Sequence, residues 1–171
     1  NEQLHRQMRP LRARPEAVER AFPSIERSRN PPAQGPVLLD YIDRRYLWGV
    51  PCAENFYEKG IRAFEQELVT LRRALLDRGF PQALSCSVGT SIAKADFAAG
   101  LFVPKDTFVF VGYRDQPLLP DVTIIDSGMY ACVYLDSFDA ELDYAKQLLR
   151  HCREQNWTIA GDYFCEIMTE F

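Results

Sequence analysis

Two apolar stripes at helical spacing, each set between runs of strand-forming residues, restrict this chain to a mixed α and β fold. Ile61, Phe64, Leu68, Leu71 and Leu75 recur at intervals of 3, 4, 3 and 4, so they line one face of a helix predicted from about Glu54 to Arg78. Gly79 follows it as a stop. Leu142, Ala145, Leu149 and Cys152 form the same kind of stripe on a second helix predicted from about Ser137 to Asn156. Ahead of the first helix, Val37–Val50 reads as a long strand with a bend or bulge at Asp43-Arg44-Arg45, and ahead of the second stands the strand Val122–Leu135. Leu84, Cys86, Val88, Thr90 and Ile92 alternate with Ser85, Ser87, Gly89 and Ser91, as in a half-buried strand. Thr107–Val111 adds a short strand after the turn near Gly100, and Ile159–Phe171 adds one after the second helix, with Gly161 at a local bend. Both halves run strand, aromatic-bearing turn, helix, strand. The first half has two strands after its helix and the second has room for one, so if the halves are duplicates a final strand is expected beyond Phe171.

Length and composition narrow the function classes. At 171 residues the chain suits one domain with an appendage. No apolar run approaches the roughly 18 residues of a transmembrane helix, and Asn1–Arg20 is rich in Arg and Glu where a signal peptide would be apolar. No membrane association and a cytoplasmic location are therefore expected. Cys52, Cys86, Cys132, Cys152 and Cys165 contain no C-x-x-C pair, which argues for small buried hydrophobes instead of a disulfide framework or zinc knuckle. His5 and His151 are the two histidines, too few for a multi-His metal site. Neither a metal nor a cofactor is expected. A net charge of −4 and a pI near 5.3 have the wrong sign for gripping phosphates. The SVGTS run Ser87–Ser91 lacks the spacing of a phosphate-binding loop. An aromatic content of 12% leaves rings either for an aromatic-rich core or for a pocket that takes flat, apolar ligands.

Residues 1–35 differ from the rest. Arg6, Arg9, Arg12, Arg14, Arg20, Arg27 and Arg29 are interspersed with Glu2, Glu16, Glu19 and Glu26. Leu4, Met8 and Leu11 fall at i, i+4, i+7, as at the end of an amphipathic or coiled-coil helix, although Pro10 and Pro15 interrupt that pattern. We read a kinked linker helix that ends in the loop Arg29–Gly35, the other reading being a disordered tail. The globular domain then spans residues 36–171.

Three short motifs carry a family resemblance: Gly128-Met129-Tyr130-Ala131-Cys132, then Ser137-Phe138 opening a helix, then Gly161-Asp162-Tyr163-Phe164-Cys165-Glu166. Their order and spacing, from about Pro36 to Phe171, resemble the GyrI-like effector-binding domain of MerR-family multidrug-sensing transcription regulators of the BmrR type. The resemblance implies an α+β fold of duplicated β-α-β-β units forming a curved antiparallel sheet, with helices on one face and a ligand cleft on the other. It also implies that residues 1–35 are the remnant of a dimerisation helix in a full-length homodimer. DNA would then be reached only through a winged helix-turn-helix domain outside this chain.

The last strand singles out one side chain. Successive residues of a strand alternate faces, so Ile159, Tyr163, Cys165, Ile167 and Phe171 share one face, and Phe164, Glu166 and Met168 share the other. Glu166 is thus a carboxylate between two apolar neighbours, and the resemblance places an acidic residue of this strand against cationic, lipophilic drugs. A carboxylate in an apolar pocket is poorly solvated until a cation pairs with it. Rings beside it add stacking or cation–π attraction, and Met168 adapts its shape to the ligand. Trp48, Tyr57, Tyr130, Tyr134 and Phe138 are secondary candidates for the pocket wall, and Phe108 and Phe110 suit either wall or core.

The leading expectation is a non-enzymatic sensor whose partner is an amphiphilic or aromatic small molecule. Two alternatives accompany it. One is a stand-alone GyrI-like hydrolase of small reactive molecules, with Glu166 and Tyr130 or Tyr163 moving a proton. The other is a protein-interaction module of the gyrase-inhibitor kind.

Overall fold

A computed structural model of the chain describes residues 6–12, 35–80, 87–112, 119 and 121–167, the first stretch as backbone alone. Eight strands lie within these residues: β1 (Arg6–Arg12), β2 (Leu38–Ile42), β3 (Arg45–Pro51), β4 (Val88–Ile92), β5 (Pro104–Val111), β6 (Thr123–Ile125), β7 (Gly128–Leu135) and β8 (Tyr163–Ile167). They form one sheet in the order β2-β7-β1-β8-β4-β5-β3-β6, with every neighbouring pair antiparallel. Helices α1 (Phe56–Lys59), α2 (Ile61–Asp77), α3 (Lys94–Ala98) and α4 (Glu141–Glu154) complete an α+β fold. No helix among the described residues is long and apolar enough to cross a membrane.

Strand alternation explains why α2 and α4 pack on the same face of the sheet. Trp48 of β3, Val88 of β4, and Val109 and Val111 of β5 meet Leu71 and Leu75 of α2 in one core cluster. Ala131, Val133 and Leu135 of β7 and Tyr163 and Cys165 of β8 meet Ala145, Leu148, Leu149 and Cys152 of α4 in a second. Full burial of a Leu or Phe side chain is worth about 1.5–3 kcal/mol, so these two clusters hold the helices to the sheet. Cys132, Cys152 and Cys165 are buried and Cys52 is half-buried, whereas Cys86 lies outside the described residues.

The long strand expected over Val37–Val50 is two strands. The chain leaves the sheet at Asp43 and Arg44, and the pieces join opposite halves: β2 pairs with β7, while β3 pairs with β5 and β6. Val122–Leu135 divides in the same way at Asp126 and Ser127, sending β6 to β3 and β7 to β2 and β1. Since β2 and β6 are the two outermost strands, these short links require the sheet to curl until its edges approach. Ile42 at the end of β2 and Ile125 at the end of β6 accordingly pack with Tyr130 in one cluster, on the face away from the helices.

Other boundaries also shift. Gly60, with φ +99°, breaks the first predicted helix into α1 and α2, and Ile61 stays 45% exposed so that the buried stripe begins at Phe64. Gly79, with φ +79°, ends α2 as expected, its N–H donating to Leu76 O at 2.9 Å and that of Phe80 to Leu75 O at 3.0 Å. Ser137 caps a single 3-10 turn, Phe138–Ala140, ahead of α4. Helix α3 was not anticipated, and β5 starts at Pro104, earlier than expected.

The largest departure concerns the predicted linker helix. Arg6–Arg12 forms strand β1, paired with β7 on one side and β8 on the other. Pro10 accounts for this in part, since it disfavours a helix interior and has no N–H for a ladder. The register against β7 slips between Met8 and Leu11, and pairing with β8 ends at Met8. Strand β1 takes between β7 and β8 the place that β5 takes between β3 and β4. Residues 13–34, with the rest of the expected linker, and residues 168–171 lie outside the described residues.

Gly89 is required by close packing across the concave face. It sits in register between Glu166 of β8 and Phe108 of β5. A Cβ there would lie 2.7 Å from Phe108 Cε1 and Cζ and 2.7 Å from Cys165 O. Gly89→Ala is expected to destabilise the fold by about 1–3 kcal/mol, measured by urea unfolding. A change within the error of the curve would show that the ring and the strand are not held as described.

Candidate ligand site

Residues of the concave face build a site around Glu166, which is 1% exposed. Arg45, the first residue of β3, extends across this face and makes a two-pronged contact: Nη1 donates to Oε1 at 3.0 Å and Nη2 donates to Oε2 at 3.0 Å. Its guanidinium carbon lies 3.5 Å from the centroid of the Phe110 ring. The cation therefore makes its hydrogen bonds along its edge and its ring contact through its face, the two modes a planar guanidinium combines. Phe164 stands beside the pair, with its ring 6.0 Å from that of Phe108, and Phe108 is 5.2 Å from Phe110.

Reaching Glu166 from β3 depends on the curl of the sheet. β4 and β5 lie between β8 and β3, which is three strand spacings, roughly 14 Å across a flat sheet. Register places Gly49, not Arg45, in the row of Glu166, through Gly89 and Phe108. Arg45 is four residues further along the strand, so only a strongly curved surface lets the two side chains meet.

Around the pair is a small cavity of about 10 Å³, lined among the described residues by Ile42, Arg45, Phe110, Ile125, Tyr130, Phe164 and Glu166. It holds no more than about one water. An open groove of about 280 Å³ adjoins it, lined by Thr123, Ile124, Ile125, Asp126, Tyr130, Ala160, Gly161, Asp162 and Phe164. Ile125, Tyr130 and Phe164 line both spaces and form the partition between them. Among the described residues the groove wall contains two carboxylates, Asp126 and Asp162. Asp162 is held by Lys105 Nζ at 3.0 Å and accepts the Lys94 N–H at 2.8 Å. Asp126 lies 3.7 Å from Arg44 on an exposed rim, and its carbonyl accepts the Tyr130 hydroxyl at 2.8 Å.

Of the residues expected at a ligand site, Glu166, Phe164 and Tyr130 are brought together. Tyr134 shares the face of Tyr130 but donates its hydroxyl to Asp40 at 3.2 Å and lines neither space. Trp48 belongs to the core under α2, with Arg78 5.1 Å above its ring, because its position on β3 is opposite in parity to that of Arg45. Tyr57 packs against the core under α4, and Phe138 packs against Phe56 and Phe64 at ring distances of 6.3 and 5.4 Å. All three lie on the helix side of the sheet, and Met168 lies outside the described residues. Arg45 falls in the bend that the sequence predicts, yet it shares strand parity with Leu47 and Gly49, a cue to its face though not to its partner.

A second buried carboxylate has a different role. Glu141, in the first turn of α4, accepts the Tyr57 and Tyr163 hydroxyls on Oε2, each at 2.7 Å. Tyr163 thus faces away from Glu166 and is not placed for proton transfer with it. Burial, then the charge of Glu141, raises both phenols well above their ordinary 10.0. Burial also raises the Cys52 and Cys152 thiols from 9.0 to about 11. No group of three or more His, Cys, Asp or Glu residues suited to a metal ion occurs among the described residues.

Two outcomes follow from these buried groups. Arg45→Met leaves the Glu166 carboxylate buried without its guanidinium and is expected to cost about 3–5 kcal/mol in urea unfolding. Arg45→Met combined with Glu166→Leu recovers most of that loss, since neither charge is then buried. The raised thiols and phenols mean that the native state keeps protons which the unfolded chain releases. Their contribution is complete below about pH 9 and declines as pH rises through about 11. An unfolding free energy that stays flat over this alkaline range would show that these groups reach solvent.

The concave face therefore offers a buried carboxylate, a stacked guanidinium, an aromatic partition and an open groove, and comparison with known proteins adds no assignment to that geometry: no family model and no curated protein matches the chain.

Proposed function

We propose that this chain is the ligand-sensing domain of a cytoplasmic, dimeric transcription regulator, one that binds lipophilic, cationic or aromatic small molecules in its concave site. In this reading occupancy is relayed to a winged helix-turn-helix domain outside the chain. The observation that carries it is Glu166, a carboxylate buried among Phe110, Phe164 and Tyr130 and already in contact with a stacked cation. The adjoining groove, partly apolar and lined by Tyr130 and Phe164, offers room for the body of such a ligand.

Topology supports a duplicated, GyrI-like plan. Strand, helix, strand, strand runs β3, α2, β4, β5 in the first half, and β7, α4, β8 with β1 occupies the equivalent places in the second. The strand order is symmetric about the β8–β4 contact, with β1 opposite β5, β7 opposite β3 and β2 opposite β6. Arg45 and Phe110 come from one half of this plan, and Tyr130, Phe164 and Glu166 from the other. A ligand touching both halves binds their alternative arrangements unequally, which is what coupling to a distant domain requires.

The test is a fluorescence titration, read through Trp48 and Trp157, with a tetraphenylphosphonium-type cation and a neutral compound of the same shape. Saturable binding of the cation is expected, weakened at least about tenfold by Glu166→Gln, with the neutral compound little affected. No binding of any amphiphile, together with turnover of an activated ester, would replace this reading by the hydrolase alternative.

A further inference from the structure

We infer that the inner site is shaped for one class of cation, the planar, delocalised guanidinium or amidinium, and that Arg45 is an internal occupant with which such a ligand competes. This rests on the sensor reading above and goes further by specifying the head group of the ligand.

Geometry selects the class. Two parallel N–H groups meet the two oxygens of Glu166, both at 3.0 Å, while the flat face of the same cation lies 3.5 Å from the centre of the Phe110 ring. A primary ammonium directs its donors tetrahedrally and presents no flat face, and a quaternary ammonium has no donor at all. Neither reproduces the edge-on fork and the face-on stack together. An amidinium or guanidinium carried on an aromatic ring does, because its two outward N–H groups are coplanar with the delocalised cation.

Space sets the competition. The void beside the pair is about 10 Å³, so no ligand fits alongside the Arg45 head group. A cation that reaches Glu166 takes the place of that head group. Arg45 can yield it outward: the residue opens β3, follows the exposed Asp43 and Arg44, and its side chain keeps 16% exposure, whereas Glu166 is held at 1% in the middle of the sheet. The approach lies through the 280 Å³ groove, across the partition of Ile125, Tyr130 and Phe164. The aryl body of the ligand then rests against that partition.

Competition from a tethered occupant lowers the apparent affinity by the fraction of molecules in which the site is open. Removing the occupant therefore tightens binding of the matching ligand, which distinguishes Arg45 from a residue that merely lines the wall.

Calorimetric titration with four probes of similar size tests this: benzamidinium, phenylguanidinium, benzylammonium and benzyltrimethylammonium. In the wild-type chain the two planar cations are expected to bind at least about tenfold more tightly than the other two. Arg45→Met is expected to tighten the planar pair by at least about tenfold more. Adding Glu166→Gln to Arg45→Met abolishes the preference. If Arg45→Met does not fold, Arg45→Lys keeps a positive charge without the planar fork and is expected to tighten the planar pair as well. Equal affinity for all four probes in the wild type, or no tightening on either substitution, would overturn the inference. The sensor reading survives those outcomes if tetraphenylphosphonium still binds in a Glu166-dependent way, and both fall if no cation binds.

Discussion

The contact between Arg45 and Glu166 joins parts of the chain 121 residues apart, and the curvature of the sheet is what makes it attainable. A carboxylate and a guanidinium withdrawn from water each lose several kcal/mol of hydration, which their attraction offsets only when the hydrogen bonds are well formed. Here both oxygens of Glu166 are engaged, and the face of the guanidinium is covered by Phe110. Such a pair is a weak source of net stability but a strict geometric condition. It holds only when β3 and β8 curve toward one another around β4 and β5. The exchange of β2 and β6 between halves supplies that curvature, through two links that tie each outer strand to a strand on the far side.

The two faces of the sheet handle buried polarity differently. On the helix side, Glu141 is satisfied by two phenols in the core under α4 and ties α1, α4 and β8 together. Glu141 is itself 1% exposed. On the concave side, Glu166 is satisfied by a side chain that begins at a strand end near the surface and lies behind a thin aromatic partition. The first arrangement suits a permanent structural contact. The second suits exchange, since the cation can be replaced without unpacking either helix.

Gly89 connects the strand packing to the aromatic part of the site. Its lack of a side chain lets the Phe108 ring lie across β4, and Phe108 in turn meets both Phe110 and Phe164. The row Glu166, Gly89, Phe108, Gly49 alternates large and small residues across four strands. A sequence that reads superficially as a phosphate loop, Ser87–Ser91, is thus the floor beneath the aromatic part of the site.

Periodicity determined the features that depend on near neighbours in the chain. The stripes of α2 and α4, the stop at Gly79, and the alternation that sends Tyr163 and Cys165 to one face and Phe164 and Glu166 to the other were all legible from residue spacing. Each follows from the rise and rotation of one helix or one strand. Tertiary structure alone decided that Val37–Val50 is shared between distant strands, that Arg6–Arg12 enters the sheet, and that Trp48, Tyr57 and Phe138 serve the helix side. It alone supplied Arg45 as the partner of Glu166. Alternation reveals which face a side chain occupies, but which strands become neighbours, and how far the sheet curls to bring their faces together, depends on pairings between segments far apart in the chain, and no local period encodes those.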